Sequence, residues 1–308
     1  MTTASVPGKI ILFGEHAVVY GRPAIAAPVT QVHADVEVTD SRQPGIWIDA
    51  PDISLHAELG TLPDSHPLSV LIIGTLKAVG ITYKLPLTIH IHSTIPVASG
   101  LGSGAAVSVA IARALSAHLG LPLSDDQVSQ LAYGTEALYH GTPSGIDNTV
   151  VTYACPVYFV KGQSIETLRV GAPFTIVIGD TGIPAPTKES VADVRRLWER
   201  EIPRWEKSFD QVGDLAKRAR VAIEAGAAPL LGDLMNQNHE LLQKMTVSSQ
   251  ELDLLVHVAR STGALGAKLS GGGRGGNMIA LVKPDRAEII ANALRTVGAK
   301  NTIITTVQ

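Results

Sequence analysis

The stretch ASGLGSGAA, Ala98–Ala106, lies between a strand-like run (Leu87–Val97) and a helix-like run (Ala105–Leu119). Its three glycines let the backbone turn tightly and remove the side chains that would hold a ligand away from the amides. The helix that follows directs unpaired N–H groups and the positive end of its dipole at the loop. The stretch therefore predicts a strand, a phosphate-binding turn and a helix, although such turns also occur for purely structural reasons.

The composition of the 308-residue chain is that of a globular protein, with 45% hydrophobic and 17% charged residues. The net charge is −3 and no long run has a single sign, which argues against nucleic acid or an anionic membrane as a partner. No apolar run approaches a membrane span, and the N-terminus shows no secretory pattern. Cys155 is the one cysteine and cannot form an internal disulfide. We therefore expect a cytoplasmic protein.

Alternating and helical patterns of apolar residues predict an α+β chain with two domains, 1–168 and 169–308, divided within the polar stretch Lys161–Ala172. Capping boxes are predicted at Ser124 with Gln127 and at Ser248 with Glu251. The predicted strands are 9–13, 32–39, 46–48, 87–95, 174–180, 267–270, 277–282 and 301–306. The predicted helices are 67–79, 105–119, 124–138, 187–201, 208–225, 228–245, one ending near Arg260, and one between Pro284 and Gly298.

Three further segments carry residues suited to chemistry, namely PGKIILFGEHAVVYG (7–21), EALYHGTPSGIDN (136–148) and KLSGGGRGGNMIAL (268–281). Phosphoryl transfer needs positive charge and dipoles around the phosphates, a metal ligand, and a group that orients or deprotonates the acceptor. The glycine loop supplies dipoles, Glu136 suits Mg²⁺ and Asp147 suits a proton acceptor. Lys9 can neutralise phosphate charge and keep that aspartate ionised.

Other nucleotide-binding signatures are absent from the sequence. No Gly-Lys-Ser/Thr follows the glycine loop, so it is not a Walker A loop, and the glycine spacing is not that of a dinucleotide site. His-Arg-Asp and Asp-Phe-Gly, which mark protein kinases, are also missing. Taken singly, Lys9, Glu136 and Asp147 would be read as a strand-end residue, a solvated helix carboxylate and a helix-start residue. It is their combination that points to phosphoryl transfer.

In order and spacing, the four segments resemble the signature motifs of the GHMP small-molecule kinases, and most closely those of members that phosphorylate mevalonate. The resemblance covers nearly the whole chain and includes IGDTGIPAPTKE (178–189). It implies an α+β, two-domain fold, with an N-terminal domain like ribosomal protein S5 and a ferredoxin-like C-terminal domain. It also implies ATP and Mg²⁺ as reaction partners, mevalonate as acceptor and a possible homodimer.

The resemblance also assigns roles by position. Asp147 would be the catalytic base, with Lys9 as its charged neighbour, and Glu136 and Ser103 would bind Mg²⁺. The ATP phosphates would be held by Pro96, Ala98, Ser99, Gly100, Leu101, Gly102, Ser103, Gly104 and Ala105. The mevalonate side would be lined by Glu15, His16, Gly145, Thr187 and Gly272.

Three departures from the family pattern affect these expectations. Family loops usually read GLGSSA, whose second serine ligates Mg²⁺, but this chain has Gly104 there. The metal would lose one oxygen ligand and recruit water or Ser103. Arg274 interrupts a late run of small residues, where it is either an added phosphate contact or a solvated loop charge. Asn277 stands where family members often carry cysteine, and the sequence assigns it no role.

Two alternatives remain open from the sequence. The first is a kinase of the same family that acts on phosphomevalonate or another small alcohol, with Arg274 or Lys188 supplying the extra positive charge. The second is a ligand sensor on a kinase scaffold that no longer turns over, which the departures at Gly104 and Arg274 would favour. Retention of Lys9, Glu136 and Asp147 argues against the sensor.

Overall fold

The computed structural model describes residues 1–81, 85–96, 99–140, 144–185 and 187–308. The chain packs into two compact units, each assembled from several stretches of sequence. The first unit comprises Met1–Gly8, Val32–Pro96 and Gly102–Ala154. The second comprises Lys9–Gln31, Val97–Leu101 and Cys155–Gln308. The predicted functional domains, 1–168 and 169–308, stay a prediction.

Helices and strands are mixed along the chain, which confirms the α+β class. The N-terminal elements are β1 (Thr2–Phe13), β2 (Ala24–Asp40), β3 (Ile46–Ala50), β4 (Leu55–Glu58), α1 (Pro67–Ala78), β5 (Leu87–Ser93), α2 (Ser103–His118), α3 (Asp125–His140) and α4 (Ile146–Tyr153). The C-terminal elements are β6 (Val157–Phe159), β7 (Glu166–Thr167), β8 (Phe174–Asp180), α5 (Thr187–Arg200), α6 (Ile202–Glu224), α7 (Ala228–Lys244), α8 (Gln250–Ser261), β9 (Gly266–Ser270), β10 (Asn277–Val282), α9 (Ala287–Thr296) and β11 (Asn301–Val307). Among the described residues, no helix is both long enough and apolar enough to cross a membrane.

The first unit contains a sheet whose strands follow the order β4-β3-β5-β2. β3 and β5 are parallel, and the other two pairings are antiparallel. Along β2, Val36 and Val38 are buried, whereas Asp35 and Glu37 are partly exposed. This alternation is expected of a strand with one covered face, because successive side chains point to opposite faces of the sheet.

Helices α1, α2 and α3 pack against one another in the first unit, and α4 packs against α2 and α3. The residues buried along α2 are mostly alanine and serine, whose small size allows close helix packing. The capping box predicted for α3 is confirmed. Ser124 donates its backbone N–H to Gln127 Oε1 at 3.0 Å, and Gln127 donates its own to Ser124 Oγ at 3.3 Å.

The second unit contains an antiparallel sheet in the order β11-β8-β10-β9. α7 and α8 pack on β9, and α9 packs on β8 and β11. The register pairs Asn277 with Ser270, so residues 271–276 form the turn that joins β9 to β10. Every residue of β10 is buried. The surrounding core includes Phe209, Val212, Leu242, Leu252, Leu255, Met278, Ala280, Ile290 and Leu294.

Several predicted boundaries were wrong, and only the first of them, at the start of β2, depends on a contact that is distant in sequence. β2 begins at Ala24, because Ala24–Ala26 pairs with β6. α6 begins at Ile202, with Pro203 in the first turn, where a missing N–H is tolerated. The cap of α8 is Ser249, which accepts from Leu252 N, whereas Ser248 donates to Asp253. The residues Pro284–Arg286 form a short 3-10 turn, and α9 begins after it.

Candidate active site

In the first unit, Gly102 precedes α2 and has a left-handed backbone, with φ of 75°. It is followed by Ser103, Gly104 and Ala105, whose N–H groups lie in the first helical turn, where donors lack partners within the helix. A Cβ built at Gly104 would have no atom within 4 Å, so the start of α2 is open at this position. The end of the loop therefore presents donors at a helix N-terminus, as an anion site requires.

Asp147 lies in the first turn of α4 and is partly exposed. Gly145 caps this helix with φ of 90° and accepts a hydrogen bond from Thr149 Oγ1 at 2.7 Å. The next residue, Asn148, is buried and donates to Ser129 Oγ of α3 at 2.8 Å. Asp147 is therefore presented on a helix start that is anchored on both sides of it.

Glu136 lies on α3 and is only 6% exposed. A buried carboxylate is uncommon unless it is paired or binds a cation, so Glu136 is not the solvated helix carboxylate that it would be read as when taken singly. Together with Ser103 at the start of α2, Glu136 offers the oxygen ligands that Mg²⁺ prefers. The predicted neighbours Gly141, Thr142 and Pro143 of the same motif lie outside the described residues.

In the second unit, Lys9 is a buried lysine of β1, 3% exposed. Its backbone N–H donates to the carbonyl of Leu101 at 2.9 Å, which ties β1 to the glycine loop. Within that loop Ser99 and Leu101 are buried and Gly100 is exposed, with φ of 83°. Gly100 thus adopts a conformation that favours glycine, while its neighbours anchor the loop. Pro96, at the end of the first unit's β5 segment, is partly buried, and Ala98 lies outside the described residues.

Glu15 belongs to a buried polar cluster, Glu15, Asn238 and Lys268, that was not predicted from the sequence. Lys268 of β9 forms an ion pair with Glu15 Oε1, and Asn238 of α7 donates to Glu15 Oε2 at 3.0 Å. Lys268 also donates to the carbonyl of Leu269 at 2.7 Å. Burial lowers the pKa of Lys268, and the Glu15 carboxylate opposes that shift. Both carboxylate oxygens of Glu15 are therefore engaged within the second unit.

His16 follows Glu15 and is held as a neutral imidazole. Its Nε2 lies 3.1 Å from the carbonyl of Gly272 and donates to it. Burial is the main reason that its pKa falls to about 4, and the charge of Arg274 lowers it further against the Gly272 hydrogen bond. Nδ1 is buried and has no hydrogen-bond partner among the described residues. The neutral ring therefore keeps one unfilled acceptor atom.

Gly272 lies in the turn between β9 and β10, close to Thr187 at the start of α5. A Cβ at Gly272 would lie 2.8 Å from Thr187 Oγ1, so only glycine allows this approach. The structure thus brings together three residues of the second unit that were predicted to line the mevalonate side, His16, Thr187 and Gly272.

The sequence did contain a signal that Lys268 is paired. It is a lysine inside the apolar strand AKLS, and a strand buried on both faces holds a charge only when that charge has a partner.

The structure shows the contacts of Arg274 and Asn277, the two residues of this segment that depart from the family pattern. Arg274 forms an ion pair with Asp193 of α5, which matches neither the phosphate contact nor the solvated charge considered from sequence. Asn277 is 2% exposed and donates to the carbonyl of Ser99 at 2.6 Å. It therefore ties the start of β10 to the glycine loop.

The two buried histidines His16 and His239 predict a pH-dependent stability. Burial lowers the pKa of His239 to about 4, helped by the charge of Arg260 and opposed by Asp253. Between the ordinary histidine value and pH 4, the unfolded chain binds these protons and the fold does not, so stability falls as pH falls. We expect the free energy of unfolding to drop by up to about 1.4 kcal/mol per pH unit per histidine in this window.

Urea unfolding at several pH values between 7 and 4.5 measures this slope. His239→Asn keeps an acceptor for Leu269 N and should give a shallower slope. His257→Asn, at an exposed position on α8, is the matched control and should keep the slope of the original chain. Equal slopes for all three proteins would contradict the prediction.

Comparison with known proteins identifies related sequences along the whole chain. The family model for the GHMP kinases N terminal domain matches residues 70–155, and that for GHMP kinases C terminal matches residues 219–300. The mevalonate kinases of Thermococcus sibiricus and Pyrococcus horikoshii are each 38% identical, over 96% of this chain and 93% and 92% of theirs. The crystal structure of L. major mevalonate kinase in complex with R-mevalonate is 31% identical, with a TM-score of 0.86 over 100% of this chain and 96% of that one.

Proposed function

Because the chain belongs to the GHMP kinase family, we propose that it transfers the γ-phosphoryl group of ATP to the 5-hydroxyl of mevalonate. The observation that carries this proposal is the glycine loop, in which Gly100 and Gly102 have left-handed backbones and α2 begins directly after them. A loop of this kind surrounds phosphate with backbone N–H groups. The resemblance to mevalonate kinases over nearly the full length supports mevalonate as the acceptor.

In the proposed reaction, the loop residues Ser99–Ala105 bind the ATP phosphates through backbone N–H groups. Asp147 accepts the proton of the 5-hydroxyl as its oxygen bonds to the γ-phosphorus, and the bond from that phosphorus to the bridging oxygen breaks to release ADP. Lys9 contributes positive charge to the phosphates. Because phosphoryl transfer depends mainly on positioning and electrostatics, these residues need no covalent intermediate.

On the acceptor side, His16 is the residue best suited to a neutral hydroxyl. As a neutral ring it lines the acceptor side without adding a charge, and the Gly272 carbonyl fixes its tautomer through Nε2. Thr187 and Gly145 complete the proposed acceptor contacts. Glu15 does not contact the acceptor directly in this proposal, because Lys268 and Asn238 already occupy its two carboxylate oxygens.

The donor set fits Mg²⁺. Glu136 and Ser103 would hold the ion, and the open space at Gly104 leaves room for a water ligand. Bound Mg²⁺ would neutralise charge on the ATP phosphates. ATP as the phosphoryl donor is a property of the family, whereas Mg²⁺, a homodimer and a cytoplasmic location stay predictions.

The test of the proposed function is ADP release by the purified chain with Mg²⁺-ATP and separate acceptors. Mevalonate, phosphomevalonate, homoserine and galactose represent four different acceptors used within the family. We expect turnover with mevalonate, and the phosphorus NMR spectrum of the product should show a phosphate monoester on the primary carbon. Turnover with phosphomevalonate alone would move the assignment to that acceptor, and ATP binding without turnover would favour the sensor.

Gly104→Ser should strengthen Mg²⁺ binding. A serine there restores the oxygen that family loops supply, and its side chain meets no atom within 4 Å at the Cβ position. One oxygen ligand is worth on the order of 1 kcal/mol, so we expect the Mg²⁺ concentration for half-maximal rate to fall by roughly fivefold. Calorimetric titration of Mn²⁺ in the presence of a non-hydrolysable ATP analogue gives a second readout.

The matched control is Gly134→Ser on α3, where the glycine is also exposed and has no neighbour within 4 Å of a Cβ. This variant should leave the Mg²⁺ dependence unchanged. If Gly104→Ser behaves in the same way, Gly104 does not weaken the metal site.

A further inference from the structure

The turn between β9 and β10, residues 271–276, contains five glycines and Arg274. Arg274 has φ of 59°, a left-handed conformation that costs a residue with a side chain roughly 1–2 kcal/mol. Such backbone strain persists where surrounding contacts hold it, and it is concentrated at ligand clamps and active sites. A non-glycine residue at this position therefore points to a role for its side chain.

The side chain of Arg274 connects the turn to two other segments of the second unit. Its Nη1 forms the ion pair with Asp193 in the second turn of α5, and its Nε donates to the carbonyl of Thr246 at 3.3 Å. The backbone N–H of Arg274 donates to the carbonyl of Val247 at 2.8 Å. Both charged side chains are roughly one quarter exposed, at 30% and 26%, so water screens their attraction only in part.

The same two elements carry the proposed acceptor residues. Gly272, two positions before Arg274, accepts from His16 Nε2, and it approaches Thr187 so closely that a Cβ would clash. Thr187 begins α5, and Asp193 lies further along the same helix. The ion pair therefore joins the turn that holds His16 to the helix that carries Thr187.

We propose that Arg274 is a positioning residue for the acceptor. Through Asp193 it fixes the separation between the turn 271–276 and α5, and so the places of His16 and Thr187. This inference rests on the proposed function, because it takes those residues to contact a small hydroxy acid. In this proposal Arg274 acts through Asp193 rather than by touching the acceptor, because its Nη1 is paired with that carboxylate.

Steady-state kinetics of three variants tests this role. Arg274→Ala removes the guanidinium but keeps a Cβ on the left-handed backbone. Arg274→Gly removes the guanidinium and also relieves the backbone strain. Asp193→Asn removes the charge of the partner carboxylate. We expect the KM for mevalonate to rise about fivefold in each, with kcat and the KM for ATP within roughly twofold of the original values. Arg274→Lys keeps the charge and should restore part of the affinity.

A double-mutant cycle separates this role from general stabilisation. Arg274→Ala combined with Asp193→Asn should raise the KM for mevalonate no further than either change alone, because both remove the same contact. Arg196→Gln is the control, since Arg196 also pairs with Asp193, is 65% exposed and lies on the same helix as Asp193 rather than in the turn. That variant should keep the original KM values.

The outcomes are distinguishable. If the Arg274 and Asp193 variants lose thermal stability while the KM for mevalonate stays unchanged, the pair is only structural and the inference is wrong. Additive effects in the cycle would equally overturn it. Turnover of the original chain with another acceptor in the panel would revise the proposed function, and the same KM comparison then applies to that acceptor. No turnover with any acceptor would overturn both.

Discussion

Asp147→Asn should lower kcat for mevalonate phosphorylation by about 10³-fold, within the range usual for loss of a catalytic base. Asparagine keeps the size and hydrogen-bonding shape of the side chain but cannot take the hydroxyl proton. The anchors around it, Gly145 and Asn148, are unchanged, so α4 should start as before. Calorimetry should therefore show nearly unchanged mevalonate binding alongside the lost turnover.

Asp125→Asn is the matched control for this variant. Asp125 is also an aspartate in the first turn of a helix, but it is exposed and pairs with Arg113. Its loss should leave kcat within about twofold, as expected of an exposed ion pair. Near-normal kcat for Asp147→Asn would remove Asp147 from the proposed reaction, and equal losses in both variants would point to a general effect on helix starts.

Lys268→Met should lower the free energy of unfolding by about 3 kcal/mol. Lys268 and Glu15 are both buried, so removing the lysine leaves a carboxylate in a site that water does not reach. Asn238 still donates to Glu15, but one neutral hydrogen bond does not replace the lost charge. Urea denaturation of the original chain and the variant gives the difference directly.

Removing both charges separates the cost of an unpaired carboxylate from the value of the pair. Glu15→Gln combined with Lys268→Met should recover most of the stability, because a buried pair replaced by neutral groups is often close to neutral in free energy. Lys283→Met, at an exposed lysine after β10, should change stability by less than about 0.5 kcal/mol. If Lys268→Met is as stable as Lys283→Met, the buried pair does not stabilise the fold.

Sequence patterns predicted local features well. β10 was predicted at its observed bounds, 277–282, because a short apolar run between a glycine turn and a proline contains its own signal. The capping box at Ser124 was confirmed for the same reason, since its two residues are three positions apart. The start of β2 was missed because its pairing partner, β6, lies more than a hundred residues away.

In the candidate site too, local motifs were informative and contacts between distant residues were not predicted. Motifs predicted roles for Asp147, His16 and the glycine loop, whose residue types are informative in themselves, and these roles stay predictions. The motifs did not reveal that Glu15 pairs with Lys268, 253 positions later, or that Arg274 pairs with Asp193, 81 positions earlier. A lysine inside an apolar strand indicates that it needs a partner, but periodicity carries no information about which distant residue that partner is.

The second unit is assembled from segments near the start and the end of the chain, and this affects its folding during synthesis on the ribosome. The segment Lys9–Gln31 belongs to this unit, so Glu15 and the core residue Ala17 are translated long before Lys268 and β10. At about 5–20 residues per second, the interval is on the order of tens of seconds. Throughout that time the nascent chain holds a carboxylate whose partner does not yet exist. The second unit therefore completes its core only when nearly all of the chain has been translated.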